Sequence, residues 1–289
     1  MTPPRLPARF RQREPAAVDG LPRNVLPSVK FRRTVLALLL TVGFVAGCFA
    51  WLEIRPFRFF TQFHFIRDLV REMLPPRFSL LWTDPHLWNS IGETIAMAFL
   101  GTAGGGAIAF VLGFLAAGNT SPHPAIRQAV RGLLSAQRCA PDFAIMMVIV
   151  IAVGFGPFAG TIALVIGSTG MFGKFFADAI EQVDMSQVEG VRVAGSNRLN
   201  EIRFGVLPQV LPSFVANGLY LFEINMGGAI ALGVFGGGGL GFELNIANAV
   251  LNYPAMLAYI LFIVLLMILT EKLSDRIRKG LLGAGTQLK

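Results

Sequence analysis

From Phe143 to Gly173 the chain carries no Asp, Glu, Lys or Arg. A backbone that buries so many uncharged residues in lipid has to satisfy its own N–H and C=O groups, which leaves helices or a closed barrel. The apolar residues run continuously instead of alternating, which excludes the barrel. Similar runs occupy Thr34–Leu52, Asn89–Ala117 (interrupted only by Glu93 near its start), Leu211–Phe235 (interrupted only by Glu223) and Ala255–Thr270. A helical span needs about 20 residues, so the Phe143–Gly173 run is long for one span and short for two. The bulk composition agrees: 54% hydrophobic residues, 15% charged, mean hydropathy +0.60.

Charge position settles the count. Arg127, Arg131 and Arg138 precede the long run, and Lys174, Arg192, Arg198 and Arg203 follow it. Both flanks therefore read as cytoplasmic, with an even number of spans between them. The Gly154-Phe155-Gly156-Pro157 turn divides the run, so the third span starts near Leu133 and the fourth continues toward Asp178. The expectation is six spans with both termini cytoplasmic. The tail 1–33 holds eight Lys/Arg and is too long and polar for a signal-peptide n-region. Residues 53–88 form an external segment, in which Arg55–Arg77 carries five Arg yet has the amphipathic spacing of a helix lying on a membrane surface. The membrane core covers 89–280, with a polar loop at 181–208 and a short tail at 281–289. A net charge of +8 sits in tails and loops, with no basic–aromatic surface of the nucleic-acid type. Cys48 and Cys139 fall in different spans and read as free thiols. No strong internal repeat is visible.

Ser186–Pro208 is charged and polar between very apolar stretches, the mark of a loop on which something soluble docks. Ser186 and Glu189 have capping-box spacing, so a helix is expected to start near Ser186. Gly195 suits a left-handed stop, Ser196 or Asn197 can cap a second short helix, and Pro208 is expected to end it. Within the spans, Glu223 with Asn217 and Asn225 nearby reads either as a pathway or gating group or as a helix–helix hydrogen bond. Ser168 and Thr169 could meet a passing oxyanion or bond back to their own helix. Asp142 has i,i+4 spacing to Arg138 and suggests a salt bridge at the cytoplasmic end. Gly101, Gly104, Gly105 and Gly106 point to close helix packing. Gly236–Gly241 matches G-x-G-x-x-G but follows a membrane helix, not a strand, so it reads as a turn. No phosphate-binding G-x-x-x-x-G-K-[ST] motif exists, and any ATP hydrolysis must come from a partner. His64, His86 and His123 lack ligand spacing, so no metal site is expected, and no nucleophile–base set supports catalysis.

The polar loop resembles the coupling loop of ABC importer permeases: Glu189, Gly190 and Val191 stand for E-A-A, Gly195 for the following Gly, and Leu207-Pro208 for the closing L-P. Over about residues 89–280 the chain looks like phosphonate-importer permeases, in R-G-L-L-S-A-Q-R-C-A-P-D-F (Arg131–Phe143), G-F-G-P-F-A-G (Gly154–Gly160), G-M-F-G-K-F-F-A-D-A-I-E-Q-V-D (Gly170–Asp184), I-R-F-G-V-L-P-Q-V-L-P (Ile202–Pro212) and F-E-I-N (Phe222–Asn225). The resemblance implies an all-α bundle of six transmembrane helices with the type I ABC importer permease (MetI-like) fold, in the bacterial inner membrane. It implies a permease pair, two ATPase subunits carrying ATP and Mg, and an extracytoplasmic phosphonate-binding protein, with phosphonates, phosphite or phosphate esters as cargo. It makes Ser186, Glu189, Gly190, Gly195, Arg198, Leu207 and Pro208 the coupling residues. Glu223, Asn225, Asn217, Ser168, Thr169 and Asp142 are the pathway or gate candidates. One departure stands out: after F-E-I-N these permeases commonly have V-R-A-A, whereas Met226, Gly227, Gly228 and Ala229 follow here. Permeases for methionine or phosphate, and a stand-alone channel or carrier, are the competing classes.

Overall fold

The computed structural model describes residues 29–53 and 62–286. The expectations for most of the tail 1–33, for Arg55 and Arg58, and for the last residues of 281–289 lie outside these. Contacts divide the chain at Phe65/Ile66 into two units. In the first, helix α1 (Val29–Trp51) carries the uncharged run from Thr34, and the Thr41 hydroxyl donates back to the Ala37 carbonyl. Helix α2 (Phe63–Met73) starts at its end and has the amphipathic spacing expected of it.

The second unit holds the core. A short α3 (Leu80–Thr83) leads into α4 (Pro85–Ala116), which opens with Pro85 in the first turn and the Asp84 carboxylate accepting from the His86 N–H. Proline at that place loses no helix bond and presets φ. Then follow α5 (Pro124–Cys139), α6 (Asp142–Val153), α7 (Pro157–Glu181), α8 (Met185–Val193), α9 (Arg198–Asn200), α10 (Leu207–Leu232), α11 (Gly239–Ala249) and α12 (Tyr253–Thr286). Among the described residues, five helices are long and apolar enough to cross a membrane, six if the bent pair α5–α6 counts as one span.

That bend corrects the third span. A continuous helix from Leu133 into the apolar run does not form. The chain turns by 88° between α5 and α6, because Pro141 disfavours helical backbone at Ala140 and removes a donor; Ala140 is extended at ψ 126°. With 12 residues, α6 is about 18 Å long and cannot cross a hydrocarbon layer of about 30 Å by itself. The Arg138–Asp142 salt bridge is absent for the same reason, since the two residues lie on different helices.

The fifth span is also different. Pro208 does not end a helix. Arg198–Gly237 runs on as one span, through a wide π turn at Glu201–Val206. There the Leu207 N–H donates five residues back to the Ile202 carbonyl. Pro208 sits in the first turn of α10, which tolerates its missing N–H. Beyond α10, positive φ at Gly236 (101°), Gly238 (79°) and Gly239 (69°) makes the turn into α11.

The most extensive contact is between α4 and α7, along a seam of small residues. Gly101, Gly105, Ala109 and Gly113 of α4 are buried at four-residue spacing, one stripe of a helix face. A Cβ on Gly101 would lie 2.5 Å from the Leu164 Cβ, and one on Gly113 would lie 2.8 Å from the Phe176 Cβ. Only bare backbone permits this approach, the usual device of membrane helices. Below the seam, toward α8, Phe176 stacks on Phe214 with ring centroids 3.9 Å apart, and Phe110 meets Phe214 edge-on at 5.7 Å. Such pairs add about 0.5–1.5 kcal/mol each beyond burial. This cluster, with buried Val188 and Val206, carries the polar loop on a rigid base.

Candidate functional site

The polar loop folds as two helices around Gly195. Helix α8 is capped by Asp184, whose carboxylate accepts from the Ser186 N–H at 2.9 Å and the Ser186 hydroxyl at 2.7 Å. The capping box expected at Ser186 and Glu189 is thus replaced by an Asp184 cap that Ser186 supports. The same two bonds hold the Asp184 carboxyl below the usual carboxylate range. Gly195 has φ +83° and stops α8, its N–H donating to the Arg192 carbonyl. Asn197 caps α9, accepting from the Asn200 N–H at 3.0 Å. Both of these match the sequence reading.

One ion pair and hydrogen bonds to backbone carbonyls brace the two helices. Arg192 makes a bidentate bridge to Glu201, at 2.9 and 3.0 Å. Arg198 donates to the carbonyls of Thr120 (3.2 Å) and Ser121 (2.8 Å), tying α9 to the loop after α4. At the end of α7 the Glu181 carboxylate collects the Gly118 N–H (2.6 Å), Arg131 (2.7 Å) and Arg127 (3.1 Å). Gln209 accepts from the Asp184 N–H at 3.1 Å and donates to the Gly205 carbonyl at 2.7 Å. Gly205 itself lies against Val188, whose Cα would be 3.0 Å from an added Cβ, so a larger side chain there would push α8 off its base. Leu207 is half-buried in the aromatic cluster. Outward, Glu189 and Gly190 are exposed and Gly190 faces open space, while Val193 (88% exposed) and Leu199 (72%) put apolar side chains on the loop's outer surface. The arrangement is a braced, two-helix knob with a partly apolar tip.

The intramembrane candidates do not form one cluster. Asn225 is buried and donates to the Ser168 hydroxyl (2.7 Å) and the Thr102 hydroxyl (2.8 Å), joining α10, α7 and α4. Thr169 bonds back to the Val165 carbonyl at 2.8 Å, and Asn217 donates to Ser213 of its own helix at 3.3 Å. Glu223 pairs with Arg278 of α12 at 3.0 Å. Asp142 packs against Gly167 of α7. Thr102, Arg278, Glu181 and Gln209 escaped the sequence reading. Only Arg127 and Arg131, at i,i+4 spacing, hinted at an anchoring acid.

The comparisons with known proteins fall on the same region. The family model for binding-protein-dependent transport system inner membrane components matches residues 109–282. The phosphate-import permease protein PhnE of Mycolicibacterium smegmatis is 36% identical over 83% of this chain, which spans 45% of that protein's length. The phosphite transport system permease protein PtxC of Stutzerimonas stutzeri is 38% identical over 74% of this chain and 77% of its own. Among solved structures, an inward-facing conformation of the MetNI methionine ABC transporter is similar with a TM-score of 0.61 and 21% identity, over 69% of this chain and 99% of the other.

Proposed function

Because the chain belongs to the family of binding-protein-dependent transport system inner membrane components, we propose that it forms the translocation path of an ATP-driven importer for phosphonates or related phosphorus oxyanions. It is a multi-pass membrane subunit of the ABC importer permease fold. In the assembled importer two ATPase subunits supply ATP and Mg chemistry, a second permease chain completes the path, and an extracytoplasmic binding protein delivers the anion. Both termini lie in the cytoplasm, and lipid surrounds the spans.

The observation that carries this reading is the braced knob of α8 and α9. A helix that transmits a rigid-body movement needs a stiff base and a contact surface. The Asp184 cap, the Arg192–Glu201 bridge and the Arg198 ties supply the stiffness. Glu189, Gly190, Val193 and Leu199 supply the surface for an ATPase groove. The cargo class is supported by the names of the relatives, which import phosphate and phosphite. In this reading ATP-driven closure pushes on α8, and Asn225, Ser168 and Glu223 lie on the helices that then move. Gly227 offers no cation where similar permeases place Arg.

The test is uptake into proteoliposomes holding this chain, its ATPase and its binding protein, comparing methylphosphonate, phosphite and phosphate. Saturable uptake that needs ATP and the binding protein is the expected result. Flux without ATP would sink the reading in favour of a channel or carrier. Glu189→Lys and Gly195→Asp are expected to abolish coupled uptake while the chain still reaches the membrane.

A further inference from the structure

A second polar feature lies beside the knob, between α5 and α7. A cavity of about 180 Å³ opens there, lined by Arg131, Ser135, Arg138, Lys174 and Asp178. That is room for about six water molecules. Arg131, Ser135 and Arg138 follow at i, i+4 and i+7 along α5, so they share one face. Lys174 and Asp178 sit one turn apart on α7. The two helices are locked together beneath the cavity: Leu134 fits against Gly173, and the Gln137 side-chain amide donates to the Ile166 carbonyl.

The cations in it are not equivalent. Arg131 is committed, donating to the Ala116 carbonyl at 2.8 Å and to Glu181 at 2.7 Å. Arg138 and Lys174 have no carboxylate within ion-pair distance among the described residues. Two unpaired cations and a hydroxyl therefore converge on a space with a fixed wall. Cations on the cytoplasmic side of a membrane protein are common, and Arg138 and Lys174 are exposed like those of any positive flank. Here two helices bring them to opposite sides of one cavity. Paired N–H donors and a hydroxyl suit a tetrahedral oxyanion, which takes charge-assisted bonds on several oxygens at once.

We propose that this cavity binds a tetrahedral phosphorus oxyanion at the knob end of the bundle. The proposal rests on the permease reading for its choice of phosphorus. Asp178 offsets part of the positive charge. A station on a transport path must hold its ion well enough to admit it and loosely enough to release it, and an acid in the lining provides the second half. The same chemistry would suit a free phosphonate leaving the path or the headgroup of an anionic phospholipid.

The experiment separates these sources. The chain is placed in nanodiscs of zwitterionic phosphatidylcholine and titrated with methylphosphonate, followed by its own ³¹P resonance. In parallel, retention of phosphatidylglycerol is read by native mass spectrometry. Arg138→Gln and Lys174→Gln, both exposed positions, are each expected to weaken binding about tenfold, equivalent to about 1.4 kcal/mol. Asp178→Asn is expected to strengthen it. These changes in the methylphosphonate titration identify a soluble anion. The same pattern confined to phosphatidylglycerol retention identifies a headgroup. Unchanged values in both arms overturn the proposal. Uptake by the assembled importer keeps the two readings apart: normal ATP-driven import of methylphosphonate with both binding arms flat would sink the cavity and leave the permease standing.

Discussion

Replacing Gly105 by alanine puts one methyl group into the α4–α7 seam, and the structure fixes what it meets. The new Cβ falls on the Ser168 Cβ and lies 2.9 Å from the Val165 carbonyl oxygen. That oxygen is backbone, so no rotamer change relieves the contact. Carbon contacts favour about 3.5–4.0 Å, and a gap of about 0.5–1 Å already forfeits a quarter to a half of each contact's attraction. The helices must separate by roughly that much, and the loss spreads over the buried seam from Met97 to Ala116 and from Ala163 to Ile180. Overpacking of this kind costs about 1–3 kcal/mol. For a domain of this size each kcal/mol lowers Tm by about 2–4 °C, so a fall of roughly 2–12 °C is expected. The assay is thermal unfolding of purified chain in one detergent, with Gly92→Ala as the control. Gly92 is in the same helix with nothing within 4 Å of an added Cβ. Alanine there is expected to leave Tm unchanged or raise it slightly, because it favours helix over glycine. A Gly105→Ala chain as stable as Gly92→Ala would refute the claim that bare backbone sets the spacing of α4 and α7.

Asn225→Leu removes both cross-helix donations to Ser168 and Thr102; at about 0.6 and at most about 1.7 kcal/mol per bond in a membrane, a loss of about 1–3 kcal/mol is expected in the same melts. Glu223→Gln takes the nearer of two carboxylates from the half-buried Arg278 and leaves it the 3.7 Å contact with Asp275, so a loss of about 1 kcal/mol, toward the exposed-pair end, is expected; the swap Glu223→Arg with Arg278→Glu should recover part of it. Arg192→Glu should break the bridge to Glu201 and leave ATPase activity without matching uptake, and adding Glu201→Arg should restore coupling; coupling retained in the single variant would count against the stiff-knob argument. Because its folded pKa is depressed, the Asp184 cap is in place above the unfolded value of about 3.9 and is lost as pH falls through the lower folded value. Proteolysis within 185–195 should therefore stay slow at pH 5 in the wild type and speed up in Asp184→Ala.

The spans were legible because lipid leaves an uncharged run few choices. The bend before α6 was not, since the flanking charges ask for two spans in this region, while the break itself comes from local sterics at Pro141. At the knob, polarity and Gly195 located the turn. The cap was misplaced by two residues because Asp184 and Ser186 both offer an oxygen near the first free N–H groups, and geometry alone picks Asp184. The partners of Glu223 and Glu181 were illegible for another reason. Arg278 lies 55 residues from Glu223, and Arg127 and Arg131 lie 54 and 50 from Glu181. Only the folded bundle brings such distant charges into reach. Asn225 was legible as an anomaly in an apolar run, but its contacts with Thr102 and Ser168 depend on three helices meeting.

The wide turn at Glu201–Val206 has a consequence for how chains of this kind can differ in length. An α-helix advances about 100° per residue, so losing one residue from an ordinary span would rotate everything beyond it off its facing neighbours. A π turn already holds the extra residue. Deleting one there closes it to α geometry and leaves Asn225 aimed at Ser168 and the knob aimed outward. This short stretch is the splice point of the span: the place where evolution, or an engineer, can change the count without changing the register.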